Sequence, residues 1–236
     1  MLVFVRWLSV VMTILVGCPS VHGQNRQVID SLKNRLKIEV DAARFRTLSQ
    51  IGFEYRYSHP DSTIYFCEQA YDLGLLLNLK LGLAEPLSFI GLSAAYQGDY
   101  AKSFSYYEQA ISVAIEQTDS VQIAYGHNNL GRLFLDQGDY VRAYNNIIRA
   151  KEIFKDLNDQ VGLAYVYRSL SSLFIVQSDY EKAIEASQNA LALRQVVGEP
   201  RAITSAWMEL ALVQQAMGEK SAAIISFQKA DSIATR

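Results

Sequence analysis

A repeat of 40 residues restricts this chain to folds in which similar units are stacked in series. The tripeptide Gly98-Asp99-Tyr100 recurs as Gly138-Asp139-Tyr140 and, with serine in the first place, as Ser178-Asp179-Tyr180. Alanine returns at the same interval, at positions Ala70, Ala110, Ala150, Ala190 and Ala230. A fixed period of this length is typical of repeat proteins, in which each unit packs mainly against its neighbours.

Within each unit the apolar residues recur at helical spacing. In one unit Leu130 and Phe134 fall on one stripe, and Ala143 and Ile147 fall on another after the turn at Gly138-Asp139. Glycine permits the left-handed backbone that ends a helix, and aspartate can cap the helix that follows. The sequence therefore predicts an all-α fold in which every unit is a helical hairpin.

These residues resemble the tetratricopeptide repeat. Its pattern is followed by Leu130-Gly131, Phe134, the turn at residues 138–140 and the alanines at 143 and 150. Part of the same pattern recurs at Trp207 and Leu210. The period of 40 exceeds the usual unit of about 34 residues. It is similar to the longer variant in kinesin light chains and bacterial peptide-sensing regulators. Over residues 42–236 the resemblance implies an α-solenoid of hairpins wound into a right-handed superhelix.

The predicted domain organisation has three parts. Residues 1–23 form a signal peptide, and residues 24–40 form a capping helix whose apolar side carries Ile29 and Leu32. Residues 41–236 form five hairpins, at about 41–80, 81–120, 121–160, 161–200 and 201–236. In the first of these the turn is one residue shorter, and Pro60 is expected at the start of the second helix.

The predicted signal peptide implies export to the periplasm or the cell envelope. Arg6 precedes an uncharged run at residues 7–16, which is shorter than the about 20 residues of a membrane-spanning helix. Gly23 provides a small residue before a cleavage site at Gln24. Two alternatives stay open: lipidation of Cys18, which would anchor the chain to the membrane, and retention of the segment as an uncleaved anchor.

Catalytic and cofactor sites are not expected. The three histidines, His22, His59 and His127, do not combine with Cys18 or Cys67 at the spacing of a metal site. His127 and Cys67 are expected to be packed in the interior. The net charge of −2 gives no concentrated basic surface for nucleic acid. The chain is therefore predicted to be a binding protein without a metal or a cofactor, and not an enzyme.

A peptide-binding groove is implied by the resemblance, because the first helices of successive tetratricopeptide hairpins line a concave face. The register places six candidate residues on that face: Arg56, Tyr125, Asn128, Arg132, Tyr165 and Arg168. Arginine can hold a carboxylate in a fork, and asparagine can bond a peptide backbone. The expected ligand is an extended or helical protein segment with an acidic or C-terminal carboxylate group. The alternative is that these are ordinary solvated side chains.

Two functions are consistent with these features. The first is an exported scaffold that binds a protein or peptide partner. The second is the extracytoplasmic sensor region of a larger membrane signalling protein, a histidine kinase or a cyclase, with a membrane segment and catalytic part absent from this chain. Residues 55–62, together with the export segment and the repeats, resemble the front of sensor histidine kinases of the Bacteroidetes. The identity of the partner and the oligomeric state stay open.

Overall fold

The computed structural model describes residues 19–234, with side chains from residue 26 onward, and this range contains eleven α-helices and no β-strand. The helices are α1 (Pro19–Leu36), α2 (Asp41–Tyr55), α3 (Pro60–Leu76), α4 (Ala84–Tyr96), α5 (Tyr100–Glu116), α6 (Ser120–Asp136), α7 (Tyr140–Asp156), α8 (Gln160–Val176), α9 (Tyr180–Val197), α10 (Pro200–Ala216) and α11 (Lys220–Ala234). From α2 onward they pair into five hairpins. The prediction of an all-α solenoid of helical hairpins is confirmed.

The predicted signal peptide lies mostly outside the described residues, as does Cys18. Helix α1, described from Pro19 onward, runs through the predicted cleavage site between Gly23 and Gln24. It ends at Leu36, four residues short of the boundary predicted for the capping helix. Cleavage and anchoring of this segment stay predictions.

The described helices belong to two compact units that divide between Leu79 and Lys80. The first unit contains α1, α2 and α3, with α1 packed against α2 and α2 against α3. Ile29 and Leu32 on α1 are buried, as the amphipathic pattern predicts. Helix α3 begins at Pro60, where the missing N–H of proline leaves no hydrogen bond unmade.

The second unit contains four hairpins, α4–α5, α6–α7, α8–α9 and α10–α11. The second helix of each hairpin packs against the first helix of the next. The first helices also contact one another, α4 with α6, α6 with α8 and α8 with α10, whereas the second helices described here make no such contacts. The first helices of this unit therefore form one continuous row, which we call the first-helix face.

Aspartate side chains fix the starts of five helices. The carboxylates of Asp99, Asp119, Asp139, Asp159 and Asp179 each accept a hydrogen bond from the backbone N–H three residues further along. Asp139 behaves as predicted for the turn. The caps at Asp119 and Asp159 place the starts of α6 and α8 one residue before the predicted unit boundaries.

Ser178 occupies a backbone conformation that favours glycine. Its φ is +59°, whereas the equivalent turns hold Gly98, Gly138 and Gly218 at φ values of +80°, +77° and +82°. A side chain at positive φ brings its Cβ close to a backbone carbonyl oxygen, and glycine avoids that contact. The turn between α8 and α9 is therefore strained relative to its counterparts.

We predict that Ser178→Gly stabilises the protein by about 0.5–1 kcal/mol, because relief of the positive φ outweighs the extra entropy of an unfolded glycine. Urea unfolding monitored by circular dichroism measures the change. The reciprocal substitution Gly138→Ser serves as the control and should destabilise by a similar amount. An unchanged or lower stability for Ser178→Gly would contradict the strain at this turn.

Small residues allow the two helices of a hairpin to lie close together. A Cβ added at Gly131 on α6 would lie 2.5 Å from Ile147 Cγ1 and 3.1 Å from the Ala143 carbonyl oxygen on α7. Ala143 and Ala150 are fully buried in the same helix pair. Close packing leaves no room for a larger side chain without movement of a helix.

We predict that Ala150→Leu destabilises the protein by about 1–3 kcal/mol, because three added carbons must enter a filled interior. Thermal and urea unfolding both measure the loss. Ala101→Leu, on the exposed side of α5, is the matched control and should have little effect. Equal stabilities for the two variants would mean that the alanines recurring every 40 residues are not packing positions.

Candidate functional site

Two tyrosines connect successive hairpins on the first-helix face. The rings of Tyr125 on α6 and Tyr165 on α8 meet edge to face, with centroids 6.0 Å apart. Phe154 on α7 packs against Tyr125 at 4.9 Å. Both tyrosines are partly buried. Edge-to-face pairs of this kind add rigidity to the surface that carries them.

Two arginines share the ring of Tyr165. The guanidinium carbon of Arg168 lies 5.3 Å from the ring centroid, and that of Arg194, on α9, lies 4.2 Å from it. Both distances are within the range of a cation–π interaction. Arg168 also faces a carboxylate on the next first helix, because its Nη1 lies 3.6 Å from Oε1 of Glu209 on α10.

Glu209 stands in a strongly cationic environment. Burial raises the pKa of this carboxyl above its ordinary value, and the guanidiniums of Arg168, Arg194 and Arg132 oppose the rise. We call these three arginines the arginine cluster. The charge of Arg132 also acts on the carboxyl of Asp136, and the carboxylate of Asp159 lies near Tyr125, so guanidiniums and carboxylates alternate on this part of the first-helix face.

Tyr125 is a neutral hydrogen-bonding group under physiological conditions. Burial raises the pKa of its phenol well above the usual value, and the nearby carboxylate of Asp159 raises it further. The hydroxyl of Tyr125 therefore keeps its proton and can still donate.

Asn128 is less accessible than the predicted groove requires. Only 2% of the residue is exposed, and its Oδ1 accepts no hydrogen bond. The burial follows from its place on α6, which has another first helix on each side, α4 and α8. A buried acceptor without a donor is costly and unusual in a folded protein.

Arg132 and Arg56 have different surroundings. Arg132 is half-buried on α6, and its charge opposes the rise in pKa that burial causes at Asp136 and Glu209. Arg56 lies in the first unit, at the end of α2. It donates to the backbone carbonyl of Phe53, and its guanidinium carbon lies 3.4 Å from the centroid of the Phe53 ring. A shared surface for Arg56 and the other candidates stays a prediction.

Arg194 and Glu209 were not predicted from the sequence as site residues. Arg194 stands 40 residues after Phe154, and it contacts Tyr165 just as Phe154 contacts Tyr125. The equivalent positions of the other hairpins, spaced 40 residues apart, hold Gly74, Ala114, Phe154 and Ala234, so a charged residue among them is the signal that could have revealed Arg194. The positions equivalent to Glu209 in the preceding hairpins hold Phe89, Asn129 and Ser169. Because these residues differ from one another, a glutamate at this position does not stand out.

The other candidate residues have structural roles. His127 is buried between α6 and α7, where its Nδ1 lies 3.0 Å from Oδ1 of Asn146 and burial lowers its pKa. Cys67 is buried, as expected. Among the described residues no group of His, Cys, Asp and Glu could hold a metal ion, and none of the described helices is long and apolar enough to cross a membrane.

Comparisons with known proteins identify the class. Two family models, each described as tetratricopeptide repeat, match residues 82–156 and 204–235. No curated protein matches the chain. The helical hairpins, the repeat signature and these matches together make the chain a tetratricopeptide repeat protein. Such a protein is a scaffold for interactions between proteins, and repeats of this fold are generally non-catalytic.

Solved structures share the fold at low sequence identity. BtubC from P. vanneervenii is 19% identical, with a TM-score of 0.61 over 90% of this chain and 89% of that one. A Rap protein complexed with competence and sporulation factor is 16% identical, with a TM-score of 0.67 over 91% and 71% of the two chains. A putative kinesin light chain from Podosopora anserina is 14% identical, with a TM-score of 0.54 over 80% and 94%.

We predict that Arg168→Ala raises the pKa of Glu209 further, because it removes a cation that favours the charged carboxylate. NMR titration of the Glu209 side-chain carboxyl carbon measures the shift. Arg149→Ala, on the exposed side of α7, removes the same charge elsewhere and should leave the titration of Glu209 unchanged. An unaltered Glu209 titration in Arg168→Ala would show that the two groups do not interact in solution.

Proposed function

We propose that this protein binds a protein or peptide segment carrying an acidic or C-terminal carboxylate group on the first-helix face of the second unit. The observation that carries the proposal is the partly exposed pair of Arg168 and Glu209, with the guanidinium of Arg194 beside Arg168 over the ring of Tyr165. In a chain of net charge −2, the two guanidiniums that share this ring would attract an anionic segment toward this face.

The side chains around the arginine cluster suit such a ligand. A guanidinium can donate two parallel hydrogen bonds to one carboxylate, and charge-assisted bonds of this kind are among the stronger ones in proteins. Tyr125 and Tyr165 offer large, rigid contact area at low entropic cost. The Rap protein of the same fold is complexed with competence and sporulation factor, which supports the use of this fold for binding a ligand.

Asn128 has a second role in this proposal. Its Oδ1 lacks a donor in the unbound protein and lies on the same side of α6 as Tyr125 and Arg132, three and four residues away. A ligand N–H that reaches this oxygen satisfies it and removes the cost of the unpaired acceptor. Because Asn128 is buried, this contact requires a small displacement of the side chains above it.

We predict that the double variant Arg132→Ala, Arg168→Ala weakens the binding of a short acidic peptide of alternating glutamate and alanine. The expected loss is about 1.5–3 kcal/mol for each charge-assisted hydrogen bond removed. Fluorescence polarisation of the labelled peptide measures the affinity, and added salt should lower it in the wild type.

Arg149→Ala is the matched control, because it removes one positive charge from the exposed side of α7. It should bind the peptide almost as the wild type does. Equal affinities for the wild type and the folded double variant would contradict the proposed site, as would equal losses in the double variant and the control.

Export is a further part of the proposal and rests on the sequence of residues 1–23. The mature protein should begin at Gln24, because Gly23 ends a segment with one positive charge and an apolar run. Mass spectrometry of the protein recovered from the cell envelope of a bacterial host tests this. A lipid on Cys18 would indicate the alternative route, and intact Met1 in the cytoplasmic fraction would contradict export.

A further inference from the structure

The carboxylate of Glu209 lies beside the arginine cluster, with its Oε1 3.6 Å from Nη1 of Arg168. It comes from α10, whereas Arg132, Arg168 and Arg194 come from α6, α8 and α9. A ligand carboxylate that approaches these arginines therefore meets a negative charge already in place. Like charges in close contact oppose binding.

The pair of Arg168 and Glu209 is loose and accessible. Their closest nitrogen and oxygen atoms are 3.6 Å apart, which is longer than a charge-assisted hydrogen bond of about 2.7–2.9 Å. Their side chains are 30% and 27% exposed. Each group therefore has hydrogen-bonding capacity for a ligand, donors on the guanidinium and lone pairs on the carboxylate.

The neighbouring arginines hold this arrangement in place. Arg194 and Arg168 both lie over the ring of Tyr165, at 4.2 and 5.3 Å from its centroid, and the ring is itself packed against Tyr125. The burial that raises the pKa of Glu209 also strengthens any charge interaction that its carboxylate makes. A cationic group of a ligand that pairs with this carboxylate gains from the same burial.

We propose that Glu209 is a specificity-determining residue, which makes the first-helix face select segments with an acidic and a basic residue side by side over purely acidic ones. The acidic group pairs with the arginine cluster, and the neighbouring ammonium or guanidinium pairs with Glu209. This inference rests on the proposed function and names the class of segment that the same site takes.

The test compares Glu209→Gln with the wild type on two short peptides of equal length, one of alternating glutamate and alanine and one of glutamate–lysine pairs. The variant keeps the size of the side chain and removes its charge. We expect Glu209→Gln to bind the acidic peptide about tenfold more tightly and the mixed peptide about fivefold more weakly, because a close charge is repulsive in one complex and attractive in the other. Glu152→Gln, on the exposed side of α7, should change neither affinity.

The outcomes separate this inference from the proposed function. Suppose that the wild type binds and that the loss of Arg132 and Arg168 weakens binding. If Glu209→Gln then changes the affinities for both peptides in the same direction, or changes neither affinity, the selectivity role is overturned and the binding site stands. If the wild type binds neither peptide, or if the arginine variant binds as the wild type does, the proposed function falls and the inference falls with it. Circular dichroism and the unfolding midpoint show whether Glu209→Gln is folded. If it is not, Glu209→Met, which also removes the charge, is tested with the same two peptides.

Discussion

The close approach of helices at small residues underlies every other feature of the fold. Where α6 crosses α7, Gly131 leaves no room for a Cβ, and Ala143 and Ala150 are fully buried. Alanine recurs at intervals of 40 residues, so this close contact repeats from hairpin to hairpin. In the second unit the regular stacking brings successive first helices into contact, and those contacts create the first-helix face.

The chemistry of that face comes from departures from the repeat. Tyr125 and Tyr165 are equivalent in the repeat and contact each other, yet Phe154 supports one of them and Arg194 supports the other. The change from phenylalanine to arginine turns a packing position into a charged one. Glu209 then adds a carboxylate from the next hairpin. A regular scaffold with a few irregular side chains is how repeat proteins combine a common fold with individual binding surfaces.

The sequence predicts the fold better than the site, for physical reasons. Periodic apolar residues and turn residues such as Gly138 and Pro60 act locally, so they identify hairpins without knowledge of tertiary contacts. The burial of Asn128 depends on helices on both sides of α6, which no local pattern reveals. Arg194 and Glu209 reach the site from helices outside the hairpin that carries Tyr125 and Arg132, and the positions equivalent to Glu209 in the other hairpins have no repeated residue type.

The central claim is that ligands bind across the first helices of the second unit. Photocrosslinking tests it most directly, with the glutamate–lysine peptide carrying a benzophenone group and mass spectrometry locating the attached residues. The account predicts crosslinks in α6, α8 and α10, around Arg132, Arg168 and Glu209, which unlabelled peptide suppresses. Crosslinks confined to the second helices α5, α7 and α11 would contradict it.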